Sequence, residues 1–257
     1  MKKQEEIIKI FEKCNAILKG HFVYTSGRHG EIYVNKDAIY PWGLYIHELC
    51  RELVAKFGKI FLNYKTEAVI APALGGVVLS RLVADYMQEK TGCGVYAVYA
   101  DKEANGQMII CRGYDKLIKD KNVIILDDIM TTGGTVKKLV AETQAKGARV
   151  IGAAVLWNRG MVTADDLGVP RLVSLVKKNY KSWNETACVL CKNSIPINQD
   201  VGKGGDFLTR QAFGQITKAA NMASEKVFGK EATSKVPKAT EDILSEMHSA
   251  LDTEERK

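Results

Sequence analysis

Apolar runs alternate with amphipathic segments through the middle of the chain. The runs at residues 123–126 and 150–156 contain no alternating polar positions, which indicates strands buried on both faces of a sheet. Between such runs, apolar residues recur every three or four positions, as on one face of a helix. The pattern predicts strands at residues 68–73, 94–100, 122–126, 149–157 and 172–176, and helices at residues 77–89 and 135–146. This order is typical of an α/β fold with a mainly parallel sheet flanked by helices.

The pattern changes at both ends of this region. Near the N-terminus it predicts a helix at residues 4–19 that Gly20 ends, a β-hairpin over residues 21–36 and a helix at residues 44–57. Beyond residue 197, a glycine-rich break precedes an amphipathic helix over residues 213–227, a polar connector at 229–238 and a shorter helix with apolar residues between 243 and 251. We therefore expect one domain over residues 1–198 and a helical extension over residues 199–257.

The amino-acid composition limits the classes of protein to which the chain can belong. With 46% apolar and 26% charged residues, the chain of 257 residues is typical of a globular protein, which excludes disorder throughout. It has no run of about 20 apolar residues and no signal-peptide pattern, so we expect a cytoplasmic protein without a membrane segment. The six cysteines are too sparse for a disulfide framework and are expected to be reduced thiols.

The formal charge is +7, of which residues 1–199 carry +8 and the remaining residues −1. A moderately basic body is compatible with nucleic acid or with a small polyanionic substrate. Because the chain has no lysine- and arginine-rich blocks, a small phosphorylated molecule is the better prediction, and binding of nucleic acid is not expected.

The most informative stretch is residues 123–135, where a buried strand is followed by two acids and a loop of small residues. Asp127 and Asp128 come at the end of the apolar run, and a helix is predicted to begin just beyond the loop. The loop offers backbone N–H groups and hydroxyls at a helix N-terminus, which favours a phosphate; its members are Thr131, Thr132, Gly133, Gly134 and Thr135. The paired carboxylates suit ribose hydroxyls or Mg²⁺. An ordinary strand-to-helix turn with an acidic strand end is the alternative interpretation.

A second turn presents backbone amides in the same way. Leu74, Gly75 and Gly76 join the predicted strand at residues 68–73 to the following helix. A plain connection between strand and helix is the alternative here.

Residues 123–135 resemble the signature of type I phosphoribosyltransferases, which bind 5-phosphoribosyl-1-pyrophosphate (PRPP). Residues 20–36 resemble the opening segment of orotate phosphoribosyltransferases, and residues 103–113 and 188–197 resemble the mobile loop and the C-x-x-C ending of a thermophile-type orotate subfamily. The resemblance covers about residues 1–198, and it implies the type I fold with residues 1–40 as a hood on the base side. It also implies PRPP and orotate as substrates, orotidine 5′-monophosphate as the product, Mg²⁺ as cofactor and a homodimer.

The resemblance assigns roles to individual residues. It implies that Asp127, Asp128 and Lys102 are the catalytic residues, and that both acids hold Mg²⁺ directly or through water. PRPP is bound by Leu74, Gly75, Gly76, Arg112 and the loop from Thr131 to Thr135. Orotate is bound by Arg159, whose guanidinium suits a carboxylate, together with Thr131, Ser26 and Tyr33. Residues 101–114 are expected to form a lid over the site.

The chain departs from better-known orotate enzymes at several of these positions. Gly75 stands where they carry a lysine before a glycine, Thr25 replaces a further lysine, and the lid lacks their second lysine and histidine. Lys102 and Arg112 remain the candidate cations of the lid. A phosphoribosyltransferase for a purine or another base, and a regulator that senses PRPP or nucleotide without catalysis, are the alternative functions.

Cys188 and Cys191 form a C-x-x-C pair, which supplies half of a tetrahedral zinc site. Completing it would require Cys14, Cys50 or a second copy of the chain. His29 is expected to be an exposed histidine of the hairpin turn.

Overall fold

The protein was analysed as a computed structural model, which describes residues 1–63 and 65–228. The strands are β1 (Ile17–Val23), β2 (His29–Val34), β3 (Ala68–Pro72), β4 (Tyr96–Lys102), β5 (Met108–Ile109), β6 (Asn122–Met130), β7 (Arg149–Asn158), β8 (Leu172–Lys177) and β9 (Ser182–Trp183). The helices are α1 (Gln4–Lys13), α2 (Gly43–Asn63), α3 (Gly75–Thr91), α4 (Tyr114–Ile118), α5 (Gly134–Ala145), α6 (Ala164–Leu167), α7 (Val189–Lys192) and α8 (Gly204–Phe228).

The central sheet has the strand order β5-β4-β3-β6-β7-β8, and all neighbours are parallel except the short edge strand β5. One apolar cluster covers one face with residues of α1, α2 and α3, and a second cluster covers the other face with residues of α4 and α5. The predicted α/β fold with a mainly parallel, two-sided sheet is confirmed. From β3 the chain moves outward to β4 and then returns to β6 on the opposite side of β3. The resulting crevice at the carboxyl ends of β3 and β6 is where such sheets bind ligands.

The N-terminal region forms a second, three-stranded sheet with the order β1-β2-β9. The predicted hairpin is present, but the predicted helix at residues 4–19 is wrong over its last part. Helix α1 ends at Lys13, Asn15 adopts a positive φ of 53°, and Ile17 begins strand β1 opposite Val34. The short apolar run at residues 16–18 is compatible with either a helix or a strand. It forms a strand because it pairs with β2.

Strand β6 is longer than the apolar run that predicts it. It continues to Met130, because β7 runs alongside it and pairs Asp127 with Val155 and Met130 with Asn158. Both acids therefore lie inside the strand rather than in the loop after it. Strands β5 and β9, two residues each, lie outside the predicted elements.

The chain divides into two compact units, and the second begins at Asn198. In that unit α8 includes the helix predicted over residues 213–227. The connector at 229–238 and the helix predicted around 243–251 lie outside the described residues. No helix in the described ranges has the length and apolar character that crossing a bilayer requires.

Candidate active site

The loop from Thr131 to Thr135, called here the Thr/Gly loop, joins β6 to α5 at the crevice. Thr131 and Thr132 are exposed, and Gly133 is the residue before the helix. Gly133 has a φ of 75°, which a glycine adopts without strain. The loop thus places hydroxyls and the N–H groups of the first turn of α5 at the crevice, an arrangement that binds anions; of these groups, the Gly134 N–H donates to Thr132 Oγ1 at 3.4 Å.

The end of β7 fixes the position of the Thr/Gly loop. The backbone N–H groups of Arg159 and Gly160 both donate hydrogen bonds to the carbonyl of Met130, at 2.8 and 3.1 Å. A Cβ atom on Gly160 would lie only 1.4 Å from the carbonyl oxygen of Thr131. The two backbones approach so closely that only glycine fits at this position.

Asp127 and Asp128 are buried, with 9% and 5% of their surface exposed. Burial, and then the charge of Asp128, raise the pKa of Asp127 to about 7. The backbone N–H of Asp128 donates to Asp127 Oδ1 at 2.9 Å, and the N–H of Ile129 donates to Asp128 Oδ1 at 2.7 Å. The backbone of the strand therefore orients both carboxyl groups.

Two residues that sequence analysis missed contact Asp128. Tyr40 donates a hydrogen bond from its hydroxyl to Asp128 Oδ2 at 2.9 Å, and Lys36 Nζ lies 3.1 Å from the same oxygen. Burial opposes the charge of Lys36, but Asp128 and then Asp127 outweigh it and raise the pKa of Lys36. Lys36 is the last residue of the segment that carries the orotate-type resemblance, so its position is a signal, whereas nothing in the sequence distinguishes Tyr40 from a core tyrosine.

Tyr40 also packs against the Gly–Gly turn formed by Leu74, Gly75 and Gly76. A Cβ atom on Gly75 would lie 2.7 Å from the Tyr40 hydroxyl, and one on Gly76 would lie 2.6 Å from Cβ of Ala71. Leu74 is 88% exposed. The absence of side chains at both glycines lets Tyr40 and strand β3 approach the backbone of the turn, so Tyr40 connects the turn with the acid pair on β6.

Arg159, directly after β7, is buried and stacks on an aromatic ring. Its guanidinium carbon lies 3.8 Å from the centre of the Tyr24 ring, and the Tyr24 hydroxyl donates to the carbonyl of Ile32 at 2.6 Å. Within the part of the chain that the structure describes, Arg159 has no ion pair with a carboxylate. A buried guanidinium without an acidic partner is a site for an anion.

The structure separates the other residues expected on the base side. Tyr33 packs against Phe22, with ring centres 5.5 Å apart, while Tyr24 is the tyrosine that contacts Arg159. Ser26 is exposed in the turn of the hairpin. Sequence analysis missed Tyr24, although it lies in the segment that carries the resemblance.

Residues 101–114, the expected lid, form a hairpin of β4 and β5. Lys138 Nζ of α5 donates to the carbonyl of Gly106 at 2.6 Å. Arg112 forms an ion pair of 3.0 Å with Asp101 and lies over the Tyr99 ring, so in this conformation its charge is directed at its own hairpin. Lys102 is exposed at the end of β4.

The positions of Cys14, Cys50 and His29 differ from what the sequence led us to expect. Cys14 and Cys50 are buried in the core cluster beside α1 and α2, so they do not complete a metal site with the C-x-x-C pair. His29 is fully buried, and its Nδ1 atom lies 3.4 Å from Cys191 Sγ. The prediction of an exposed His29 is wrong because the turn residues 24–28 precede it and His29 itself begins strand β2.

Comparisons with known proteins agree with this geometry. The family model described as "Phosphoribosyl transferase domain" matches residues 41–188. The orotate phosphoribosyltransferase of Caldanaerobacter subterraneus subsp. tengcongensis is 35% identical over 196 residues, which cover 76% of this chain and 95% of that protein. The orotate phosphoribosyltransferase of Pelotomaculum thermopropionicum is 36% identical over 193 residues, covering 75% of this chain and 94% of that protein. Among solved structures, orotate phosphoribosyltransferase from Aeropyrum pernix superposes with a TM-score of 0.54 at 25% identity, covering 66% of this chain and 93% of that one.

Proposed function

This chain belongs to the orotate phosphoribosyltransferase family, and on that premise we propose how its residues carry out the reaction. The reaction transfers the 5-phosphoribosyl group of PRPP to orotate and yields orotidine 5′-monophosphate and pyrophosphate. N1 of orotate forms the new bond to C1 of the ribose, and the bond from C1 to the pyrophosphate oxygen breaks. The protein forms no covalent bond with the substrates, so catalysis depends on positioning and on charge.

The Thr/Gly loop holds the 5′-phosphate of PRPP. Its hydroxyls and the N–H groups at the start of α5 are donors, and the dipole of the 12-residue helix favours an anion there. Because Gly160 fixes the carbonyl of Thr131, the phosphate is held at a defined distance from the end of β7, where the base binds.

The acid pair faces the ribose. Asp127 and Asp128 accept hydrogen bonds from the ribose hydroxyls, and Tyr40 with Lys36 keeps Asp128 oriented. Two buried carboxylates beside one lysine leave an excess of negative charge, and these hard oxygen donors fit a Mg²⁺ ion. When bound with PRPP, Mg²⁺ would neutralise charge on the pyrophosphate leaving group.

The pyrophosphate lies against the Gly–Gly turn. Backbone amides of Leu74, Gly75 and Gly76 donate to it, and Lys36 supplies a cation at the crevice where the turn itself has no lysine. Arg112 and Lys102 approach the leaving group when residues 101–114 close over the site. Closure excludes water, which would otherwise attack the cationic ribose of the transition state.

Orotate binds at Arg159. The buried guanidinium without an acidic partner is the single observation that carries this assignment, since orotate differs from purine bases in having a carboxylate that a guanidinium can bind through two hydrogen bonds. Tyr24 holds the plane of the guanidinium, and Thr131, Ser26 and Tyr33 line the base side. We further propose a cytoplasmic homodimer in which the lid is completed by the neighbouring copy.

One experiment tests the assignment of the base. The protein is incubated with PRPP, Mg²⁺ and each of orotate, uracil, adenine, guanine and hypoxanthine, and nucleotide formation is measured. We expect product with orotate only. Arg159→Ala should raise the KM for orotate about 10- to 100-fold, as the loss of hydrogen bonds to a charged group implies, and should leave the KM for PRPP within about threefold.

Arg51→Ala is the matched control. Arg51 also stacks on a tyrosine, 5.0 Å from the ring centre of Tyr86, but on the exposed face of α2. Its removal should leave both KM values unchanged. If Arg159→Ala uses orotate as well as the wild type does, or if a purine is the preferred substrate, the assigned role of Arg159 is wrong.

A further inference from the structure

Four metal-binding side chains converge beside the turn end of the N-terminal hairpin. His21 lies on β1, His29 begins β2, Cys188 precedes α7 and Cys191 lies within α7. Their ligand atoms all lie within 4.8 Å of one another. His21, His29 and Cys188 are buried, and Cys191 is partly buried.

The distances match the edges of a tetrahedral zinc site. Zinc bonds of about 2.3 Å to sulfur and about 2.0 Å to nitrogen separate a nitrogen and a sulfur ligand by about 3.6 Å and two nitrogens by about 3.3 Å. His21 Nε2 lies 3.6 Å from Sγ of both cysteines, and His29 Nδ1 lies 3.4 Å from Cys191 Sγ. The two ring nitrogens are 2.8 Å apart, about 0.5 Å closer than two nitrogens bound to one zinc ion.

The surroundings orient at least one ligand for a metal. His21 Nδ1 donates a hydrogen bond to the carbonyl of Ile195 at 2.8 Å. This bond places the proton on Nδ1 and leaves the lone pair of Nε2 directed at the two sulfurs, which is the usual arrangement around metal-bound histidines.

We propose that His21, His29, Cys188 and Cys191 bind one structural zinc ion. Two thiolates and two imidazoles form a closed set of four protein ligands with no position left for substrate, which is typical of structural rather than catalytic zinc. The ion joins the two strands of the hairpin to the segment around α7, more than 150 residues later in the chain. This site is independent of the transfer reaction and of the Mg²⁺ site assigned to the acid pair.

Hydrogen bonds also join the hairpin to the chain just before α7. A metal ion would add a cross-link between the same two parts of the chain. Arg28 donates from Nε to Ser182 Oγ at 3.0 Å and from Nη1 to Asn184 Oδ1 at 2.7 Å. These contacts are exposed and compete with water. A buried ion near the turn end of the hairpin stabilises the arrangement in a way that exposed hydrogen bonds do not.

Metal analysis of the full-length protein is the first test. Protein produced with zinc in the medium and freed of loosely bound metal should contain about one zinc per chain. Cys191→Ser should reduce the zinc content at least fivefold, whereas Cys93→Ser, which removes an exposed cysteine, should not change it. A zinc content below about one tenth per chain in the wild type, or an unchanged content in Cys191→Ser, would overturn the proposal.

Cobalt substitution tests the ligand set without relying on a variant that folds. Protein treated with a chelator and then titrated with Co²⁺ should show the visible bands of tetrahedral coordination and a thiolate-to-cobalt charge-transfer band, saturating near one equivalent. His29→Gln should alter or abolish the visible bands. Bands typical of six-coordinate cobalt, the absence of a charge-transfer band, or a Cys188–Cys191 disulfide in the reduced, zinc-supplied protein would each contradict a zinc site.

Discussion

Replacing Gly160 by alanine adds one methyl group at the point where β7 meets the Thr/Gly loop. The new Cβ atom would lie 1.4 Å from the carbonyl oxygen of Thr131 and 2.5 Å from its carbonyl carbon. Real Cβ atoms do not approach other atoms closer than 3.0 Å, so the loop has to retreat by about 1.6 Å. The obstacle is backbone rather than a flexible side chain, so no rotamer change relieves it.

A displacement of this size exceeds the tolerance of the interactions that the loop makes. Hydrogen bonds to a phosphate oxygen are effective over a range of about 0.5 Å, and misplacing a bound substrate by about 1 Å costs on the order of 10²-fold in rate. We therefore expect Gly160→Ala to lower kcat/KM by about 100-fold or more. The KM for PRPP should rise, because the loop holds the 5′-phosphate.

Steady-state kinetics with PRPP and orotate varied in turn is the assay, and thermal unfolding shows whether the variant is folded. Gly94→Ala is the control, because a Cβ atom there meets nothing within 4 Å and Gly94 is exposed. A folded Gly160→Ala variant that keeps kcat/KM within threefold of the wild type would show that the Thr/Gly loop does not position the substrate.

Three further predictions concern the acid pair and the thiols. Tyr40→Phe removes the hydroxyl that donates to Asp128, and we expect kcat/KM to fall about 10-fold in steady-state assays; an unchanged value would refute the role of Tyr40. Burial raises the pKa of Asp127 to about 7, so the folded protein keeps this proton at pH values where the unfolded chain has lost it, and the free energy of unfolding falls as the pH rises towards 7. In urea titrations without PRPP and Mg²⁺, Asp127→Asn should lack this decline, and equal slopes for both proteins would contradict the raised pKa. Burial raises the pKa of Cys50 to about 12, so alkylation at pH 8 followed by peptide mass spectrometry should label exposed Cys93 and leave Cys50 unlabelled until the protein unfolds.

The sequence predicts the central sheet well because each strand is a local signal. Apolar runs such as residues 150–156 are long enough to identify buried strands without knowledge of their neighbours. Where a segment's structure depends on a partner, the prediction fails. Residues 17–19 form a strand only because β2 pairs with them, and β6 extends to Met130 only because β7 runs beside it.

The same distinction applies to the sites. Asp127 and the Thr/Gly loop occur within one short stretch of sequence, so the chemistry of the stretch is visible without a structure. Lys36 and Tyr40 contact Asp128 from about 90 residues away, and only the folded structure shows that these side chains meet. His21 and Cys188 are 167 residues apart, and their spacing follows no short metal-binding motif.

The hairpin is attached to residues around Ser182 and Ile195, and this attachment determines the order in which parts of the protein can fold during synthesis on the ribosome. The hairpin leaves the ribosome early, yet its partners follow 154 residues after Arg28 and 174 residues after His21. The central strands from β3 to β8 are all translated within that interval, and domains generally fold from the N-terminus as they emerge. The nascent chain can therefore assemble its central sheet while the hairpin still lacks its anchor, and the smaller sheet β1-β2-β9 becomes complete only afterwards.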